Sequence, residues 1–519
     1  MNNVGHGERP MNRQQRAIVD GCFEEGQYEA GIRLLDKLRN EHVRPSSSHL
    51  LQLIYIALFP PPVIPDRTAD KGKGKLKDRD MYGSPSKMST AKRGHPLPTP
   101  EASQAALSLL MNFAQTNNPE SLLRAIPSYH LSEAELATKR AMQPSRDMGY
   151  PDRDEHEDSQ IAKDAGVLKE CNDCWSMLKA GVVKRPDEWR TQRRDPGRST
   201  GYRSQMNRTD DFDDSDGEEE DQDTVDVVGD KSWPLLDWFV SLFEREESLM
   251  QSDGRFSFSF FSQIKSSSNG PRWDVETPVE IVLYCCKQTD PRKLRLGPRL
   301  MALLVHQSNN PHFSSTVMLN LMTSRLRATS PYHLNLFLSN FPSLGRGLAF
   351  KLALCYKYFS DGPGIPSGPT MTRPQAPRAR PMPGSPQKAS YSGAYPTTQR
   401  PPSSTVSNTP LWPLPSAKWM VQFINSGSSG GSGSATQSLV KFHLFLSFGN
   451  LKSNDFNAQR TVDDVWVNAL REDTFVRNLS EWLRWDAKGE EQVSHYTTMG
   501  ESVSSMVNIW RQWMCGSGR

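Results

Sequence analysis

Stretches with a helical apolar period alternate along the chain with stretches that have none. The first period covers residues 12–58. Ile18, Val19, Cys22 and Phe23 share one helix face, and Gly26 breaks that helix. Tyr28, Ile32, Leu35 and Leu38 form the stripe of a second helix, which ends at Val43, Arg44 and Pro45. Ser46, Ser47 and Ser48 offer cap oxygens for a third, carrying Leu50, Leu51, Leu53, Ile54, Ile56, Ala57 and Leu58. Pro60, Pro61 and Pro62 stop it.

The period returns at 101–115, 119–126, 131–142 and 158–180, the last with Ile161, Val167, Leu168, Cys171, Trp175 and Leu178 as contacts. The most core-like part is 231–360. Trp233, Leu235, Leu236, Trp238, Phe239, Leu242 and Phe243 begin it, and further helices fit 278–287, 296–308, 314–327, 331–340 and 344–359. Thr277-Pro278, Gly297-Pro298, Ser330-Pro331 and Ser343 read as starts, because proline is tolerated in a first turn. Later helices fit 416–425, 436–450, 461–485 and 490–514, with Trp466, Trp482, Trp485, Trp510 and Trp513 among their apolar positions. Residues 427–434 (GSSGGSGS) read as a flexible loop. Phe256, Phe258 and Phe260 alternate with Ser257 and Ser259, which suits a short edge strand, a helix end or a loop.

These elements predict a mainly α fold, an irregular α-solenoid-like set of helical blocks separated by long disordered linkers. The expected order is an N-terminal hairpin 12–58, a basic linker 59–100, a helical segment 101–180, a basic/acidic linker 181–230, a central domain 231–360, a Pro/Ser-rich linker 361–415 and a C-terminal segment 416–514 packing with 231–360. The linkers hold too little apolar surface to offset the entropy of ordering them.

Charge sharpens this picture. The chain has 519 residues, with 62 Lys and Arg against 59 Asp and Glu, net +3, which excludes a uniformly basic nucleic-acid coat. The cations gather instead at 71–93, 184–203 and 373–400, and an acidic run occupies 210–223. These basic linkers predict at most weak, non-specific, salt-sensitive nucleic-acid binding through phosphates. They lack an interleaved aromatic platform of the kind single-strand binders use. Seven cysteines, an odd number, do not suggest a disulfide scaffold and fit a reducing compartment. No secretory apolar run precedes the first helix, Glu8 and Asp20 argue against a mitochondrial presequence, and no stretch nears 18 apolar residues. An intracellular protein, nuclear rather than cytoplasmic, neither secreted nor membrane-bound, is expected.

Candidate chemistry is sparse. The sequence holds no Walker loop, HExxH, GxSxG or dinucleotide fingerprint. Cys171 and Cys174 form a lone CxxC without a second pair or a nearby histidine, and read as two core residues one helical turn apart. Cys285 and Cys286 read likewise. His306, His312 and His333 read as structural groups at helix ends or loops. No catalytic, cofactor or metal residue is therefore expected. Ser84 and Ser385 head SPSK and SPQK, similar to proline-directed kinase sites, and Ser215 with Glu218 is similar to an acidophilic site. Lys184-Arg185 and Arg193-Arg194 could serve nuclear import, or simply solubilise the linker.

Residues 17–58 resemble a single pentatricopeptide or tetratricopeptide hairpin. Ile18, Val19, Gly26, Ala30, Leu34, Leu35, Leu38 and Pro45 carry the likeness, and Leu50 and Ile54 are similar to the start of a next unit. Gly31 departs from the pattern, and the three prolines prevent a second full repeat. The apolar positions Ile32, Leu35, Leu38, Leu50, Ile54 and Leu58 are the expected partner-binding residues. The layout resembles helical adaptor subunits of chromosome-associated complexes, including meiotic double-strand-break accessory scaffolds. That likeness implies a non-enzymatic scaffold binding other proteins through helical surfaces. The alternative is a helical-repeat RNA-binding protein of organelle or nucleus.

Overall fold

The computed structural model describes residues 8–61, 96–129, 159–184, 226–252, 258–266, 273–308, 313–342, 345–361, 412–426, 435–457, 463–483 and 493–516. Most of each expected linker, and the expected helix 131–142, lie outside the described residues. The chain divides into two compact units, Met1–Ser314 and Ser315–Arg519. Both are helical, and the described strands are two-residue pairs. The division falls inside the block 231–360 expected to be one domain: its first part belongs to unit 1, and residues from 315 onward pack with 416–516. The units differ in charge. Unit 2 has 20 Lys and Arg against 11 Asp and Glu, while unit 1 has 42 against 48.

In unit 1, α1 (Arg13–Glu24) starts at Asn12, whose side chain accepts from the Gln14 amide at 3.1 Å while Gln15 reaches back to the Asn12 amide. This reciprocal cap satisfies two amide donors that the first helical turn leaves open. Gly26, at φ 72°, turns the chain into α2 (Tyr28–Leu38). A side chain rarely adopts that φ, and a Cβ there would also strike Pro96. Ser46 caps α3 (Ser47–Leu58), which is buried on nearly every face. β1 (Arg9–Pro10) runs parallel to β2 (Val43–Arg44). Thr99 and Asn118 cap α4 (Pro100–Thr116) and α5 (Pro119–Leu123), each with proline in the first turn. α4 covers α2 and α3.

The single helix expected over 158–180 is instead α6 (Gln160–Ala165), a 3₁₀ turn Gly166–Glu170 and α7 (Cys174–Met177). Asp173 explains the break, because its carboxylate caps α7 by accepting from the Ser176 amide at 2.6 Å. Cys171 and Cys174 therefore do not share a helix face.

α8 (Trp233–Ser252) runs through the core against α4, α5 and α11. After it come α9 (Phe258–Phe261) and the antiparallel pair β3 (Lys265–Ser266) and β4 (Trp273–Asp274), then α10 (Glu276–Cys286) and α11 (Pro291–Gln307). The phenylalanine alternation thus becomes a helical turn at 258–261, with Phe256 outside the described residues. Gly297-Pro298 does not start a helix. Asp290 caps α11 seven residues earlier, and Pro298 lies inside it. Gly297 marks a close approach, since a Cβ there would lie 2.9 Å from the Val282 carbonyl oxygen of α10.

Unit 2 comprises α12 (Ser315–Arg327), α13 (Pro331–Asn340), α14 (Gly345–Ser360), α15 (Ala417–Ser426), α16 (Ala435–Asn457), α17 (Asp464–Arg471), α18 (Asp473–Leu483) and α19 (Val493–Gly516). α13, α14 and α19 pack on α16. Its core is aromatic: Trp466 meets Phe448 at 4.8 Å and Phe475 at 5.8 Å between ring centres, and Phe445 meets Trp510 at 5.4 Å. Gly449 lies directly under the Trp510 ring. The helix expected over 461–485 is two helices, because Glu472 is extended. The Arg511 guanidinium fills that corner, donating to the Leu470 and Glu472 carbonyls and pairing with Asp473.

Candidate functional site

The hairpin side chains expected to meet a partner are largely used within unit 1. Ile32, Leu35, Leu50, Ile54 and Leu58 are buried, and Leu38 is half-buried. α4 packs on α2 and α3, and α6 packs on α3, so the chain itself covers these stripes. Gly31 serves this packing, since a Cβ there would come within 2.6 Å of the Phe23 ring. Ile18, placed on the apolar face by its spacing, instead points outward and is 52% exposed. Spacing alone did not single out His49. It is buried, its Nε2 lies 2.8 Å from Asp20 Oδ1, and its ring stands edge-on to Phe23.

The CxxC region belongs to a buried polar knot. The Gln263 side chain accepts from the Cys174 amide at 2.7 Å, and its carbonyl accepts from the Trp175 indole at 2.8 Å. The Tyr129 hydroxyl donates to Asp173. Burial pushes the Cys174 thiol well above its ordinary range, with Asp173 adding to the effect. It likewise raises Cys285, and pushes Cys286 and Cys355 up to about 12. A thiol reacts through its thiolate, so burial keeps these groups inert.

Other polar groups, partly or fully buried, tie helix to helix. The Arg299 guanidinium of α11 donates to Asp237 at 2.6 Å, to both Glu244 oxygens at 2.9 and 2.6 Å, and to Ser241 at 3.0 Å, all on α8. Its charge is stabilised first by Glu244 and then by Asp237, against the burial that opposes it. Asn117 is fully buried and donates to the Val43 and Asn40 carbonyls and to Glu8. Arg245 reaches from α8 to the carbonyls of Ala114 and Asn117.

Unit 2 holds a different kind of polar group. His443 on α16 is 3% exposed, and its Nε2 lies 3.0 Å from Asn335 Oδ1 on α13. Its Nδ1 is buried without a hydrogen bond. Burial lowers its pKa well below the usual imidazole value, and the charge of Lys351 on α14 lowers it further. Lys351 is itself buried, which lowers its pKa, while the Cys355 thiol one turn along α14 acts weakly the other way. These two side chains had no signal in the apolar pattern.

Of the histidines noted in the sequence, His306 is half-buried at the end of α11, and His333 is half-buried with its Nδ1 2.7 Å from Ser330 Oγ. His312, Ser84, Ser215, Ser385 and the basic stretches 71–93, 185–203 and 373–400 lie outside the described residues. Among the described residues no three His, Cys, Asp or Glu side chains converge to hold a metal ion, and no helix is long and apolar enough to cross a membrane. No known protein family, no curated protein and no solved structure matches this chain.

Proposed function

We propose that the chain is a non-enzymatic helical scaffold or adaptor subunit of an intracellular, nuclear multiprotein complex. Chromosome-associated assemblies, such as those of meiotic recombination or DNA repair, are the class its layout fits. In this reading the helical blocks form an irregular solenoid-like frame. The intervening segments carry regulation at Ser84, Ser215 and Ser385 and give weak phosphate contacts.

One observation supports the reading most. In unit 1 the buried chemistry joins structural elements: Arg299 binds α11 to α8, Asn117 binds α4 to the β2 strand, and Gln263 holds the start of α7. Together with thiols kept protonated by burial, this is a set of groups arranged to hold helices in register. Surfaces for partners are then the outer helix faces, where Ile18, Tyr332 and Val465 are exposed.

The test is affinity purification of the tagged full chain under reducing conditions, with mass spectrometry and gel filtration of the eluate. A stable, stoichiometric set of protein subunits is expected. Recovery of the chain as a lone monomer, or turnover of a small-molecule substrate by it, would count against a scaffold.

A further inference from the structure

The acid-poor half of the chain contains an aromatic cluster that the scaffold reading does not use. The last turn of α14 carries Tyr356, Tyr358 and Phe359, and α15 carries Trp419 and Phe423, all partly exposed. Tyr356 meets Trp419 at 4.7 Å, edge to face. Trp419 stacks on Phe423 at 4.7 Å with 23° between the ring planes. Phe423 meets Phe359 at 5.1 Å, and Phe359 meets Tyr358 at 5.4 Å. The series ends in a cation: the Arg327 guanidinium of α12 lies 5.5 Å from the Tyr358 ring centre and donates to the Tyr358 carbonyl at 3.0 Å.

The sequence of α12 to α15 is acid-poor, while α17 and α18, which pack on α15, bring Asp464 and Asp473. Between residues 315 and 454 the sequence has 13 Lys and Arg and one carboxylate, Asp361. Asp361 pairs with Lys357 at 2.8 Å. Arg325, Arg327 and Lys418 are exposed, Arg327 against the Tyr358 ring and Lys418 next to Trp419 in the sequence. The acid-free stretch 362–411 connects α14 and α15 in the sequence, the two helices that supply the rings.

We infer that the Tyr356–Trp419–Phe423–Phe359–Tyr358 ring series, with Arg327 and Lys418 beside it, is a binding platform for single-stranded nucleic acid. Partly exposed rings give bases a stacking surface without reading sequence, and adjacent cations hold the backbone. The cations Arg327 and Lys418 match a polyphosphate backbone. The inference stands independently of the scaffold reading, because it rests on unit 2 side chains alone. It places nucleic-acid contact on a folded surface rather than only on the basic linkers.

The test is fluorescence anisotropy with the full chain and labelled 20-mers of oligo(dT) and oligo(U), over a salt series. Trp419→Ala should weaken single-strand binding by about 5- to 150-fold, the range for loss of one base–aromatic stack. Arg327→Gln and Lys418→Gln should each lower the salt slope by about 0.7, as for one lost phosphate contact on a single strand. These two residues are exposed, so their variants carry the test if Trp419→Ala fails to fold. Tighter binding of oligo(U) or of oligo(dT) would support the platform and identify the natural strand. Three results would overturn it: duplex DNA binding as tightly as a single strand, a proline-rich peptide binding where the oligonucleotides do not, or binding that depends on Arg373, Arg378, Arg380, Lys388 and Arg400 but not on any of the three variants.

Discussion

Gly449 sets two physical effects against each other, and the structure decides between them. It sits inside α16, where replacing glycine by alanine normally stabilises a helix by about 1 kcal/mol. At this position the new Cβ would overlap the Trp510 indole of α19. Trp510 is 1% exposed and packs on Phe445, so the ring cannot move without opening the core. Full loss of a buried tryptophan costs about 3–5 kcal/mol. Less the propensity gain, Gly449→Ala should destabilise unit 2 by about 2–4 kcal/mol. For a unit of this size, at roughly 2–4 °C per kcal/mol, its melting transition should fall by about 4–16 °C. Differential scanning calorimetry of the full chain measures this. In a Trp510→Leu background the same glycine change should be nearly neutral, a coupling that a double-mutant cycle isolates. A rise in melting temperature on Gly449→Ala alone, or an equal loss in both backgrounds, would refute the packing assignment.

Other outcomes follow from named groups. Burial and Lys351 lower the pKa of His443, so the unfolded chain takes up that proton first. Unit 2 should therefore keep its full stability above about pH 6.5 and lose up to about 1.4 kcal/mol per pH unit below it, until the folded pKa is reached. His443→Gln should flatten that decline in a pH series of melting curves, and an unchanged slope would contradict it. Leu35→Asp buries a charge with no partner and should destabilise unit 1 by about 3–5 kcal/mol in urea titrations, with no change taken as disproof. Timed alkylation read by mass spectrometry should label Cys22 and Cys171 well before Cys174, Cys285, Cys286 and Cys355. Early labelling of any of those four would show that its core opens readily.

Periodicity carried most of the helical layout because an amphipathic helix must repeat its apolar face to be buried. The stripe Tyr28, Ile32, Leu35 and the caps at Ser46 and Ser330 are examples. Boundaries failed where a tertiary contact outweighed a local rule. Gly297-Pro298 has the form of a helix start, yet the pair lies within α11 because Gly297 lets α10 approach. Asp173 reads as an ordinary loop acid, yet its cap on α7 divides a helix. The split at Ser314 leaves no mark in the apolar pattern, since the helices on both sides carry buried apolar residues. The aromatic platform was illegible for a related reason. Its rings come from helices separated by more than fifty residues.

The segment 96–99 is held at the turn between α1 and α2. Tyr28 donates to the Pro96 carbonyl at 2.8 Å, Thr99 donates to Glu29 at 3.2 Å, and Gly26 leaves room for the Pro96 ring. α3, whose end opens the same insert, is fixed in the core. The 34 residues 62–95 therefore close a loop between two anchored ends. The entropy of closing such a loop grows only logarithmically with its length, so doubling it would cost roughly 0.6 kcal/mol. Selection on stability thus exerts almost no restraint on how long this insert is. Its length can be set by whatever the insert must reach, while Tyr28 and Pro96 hold its far end.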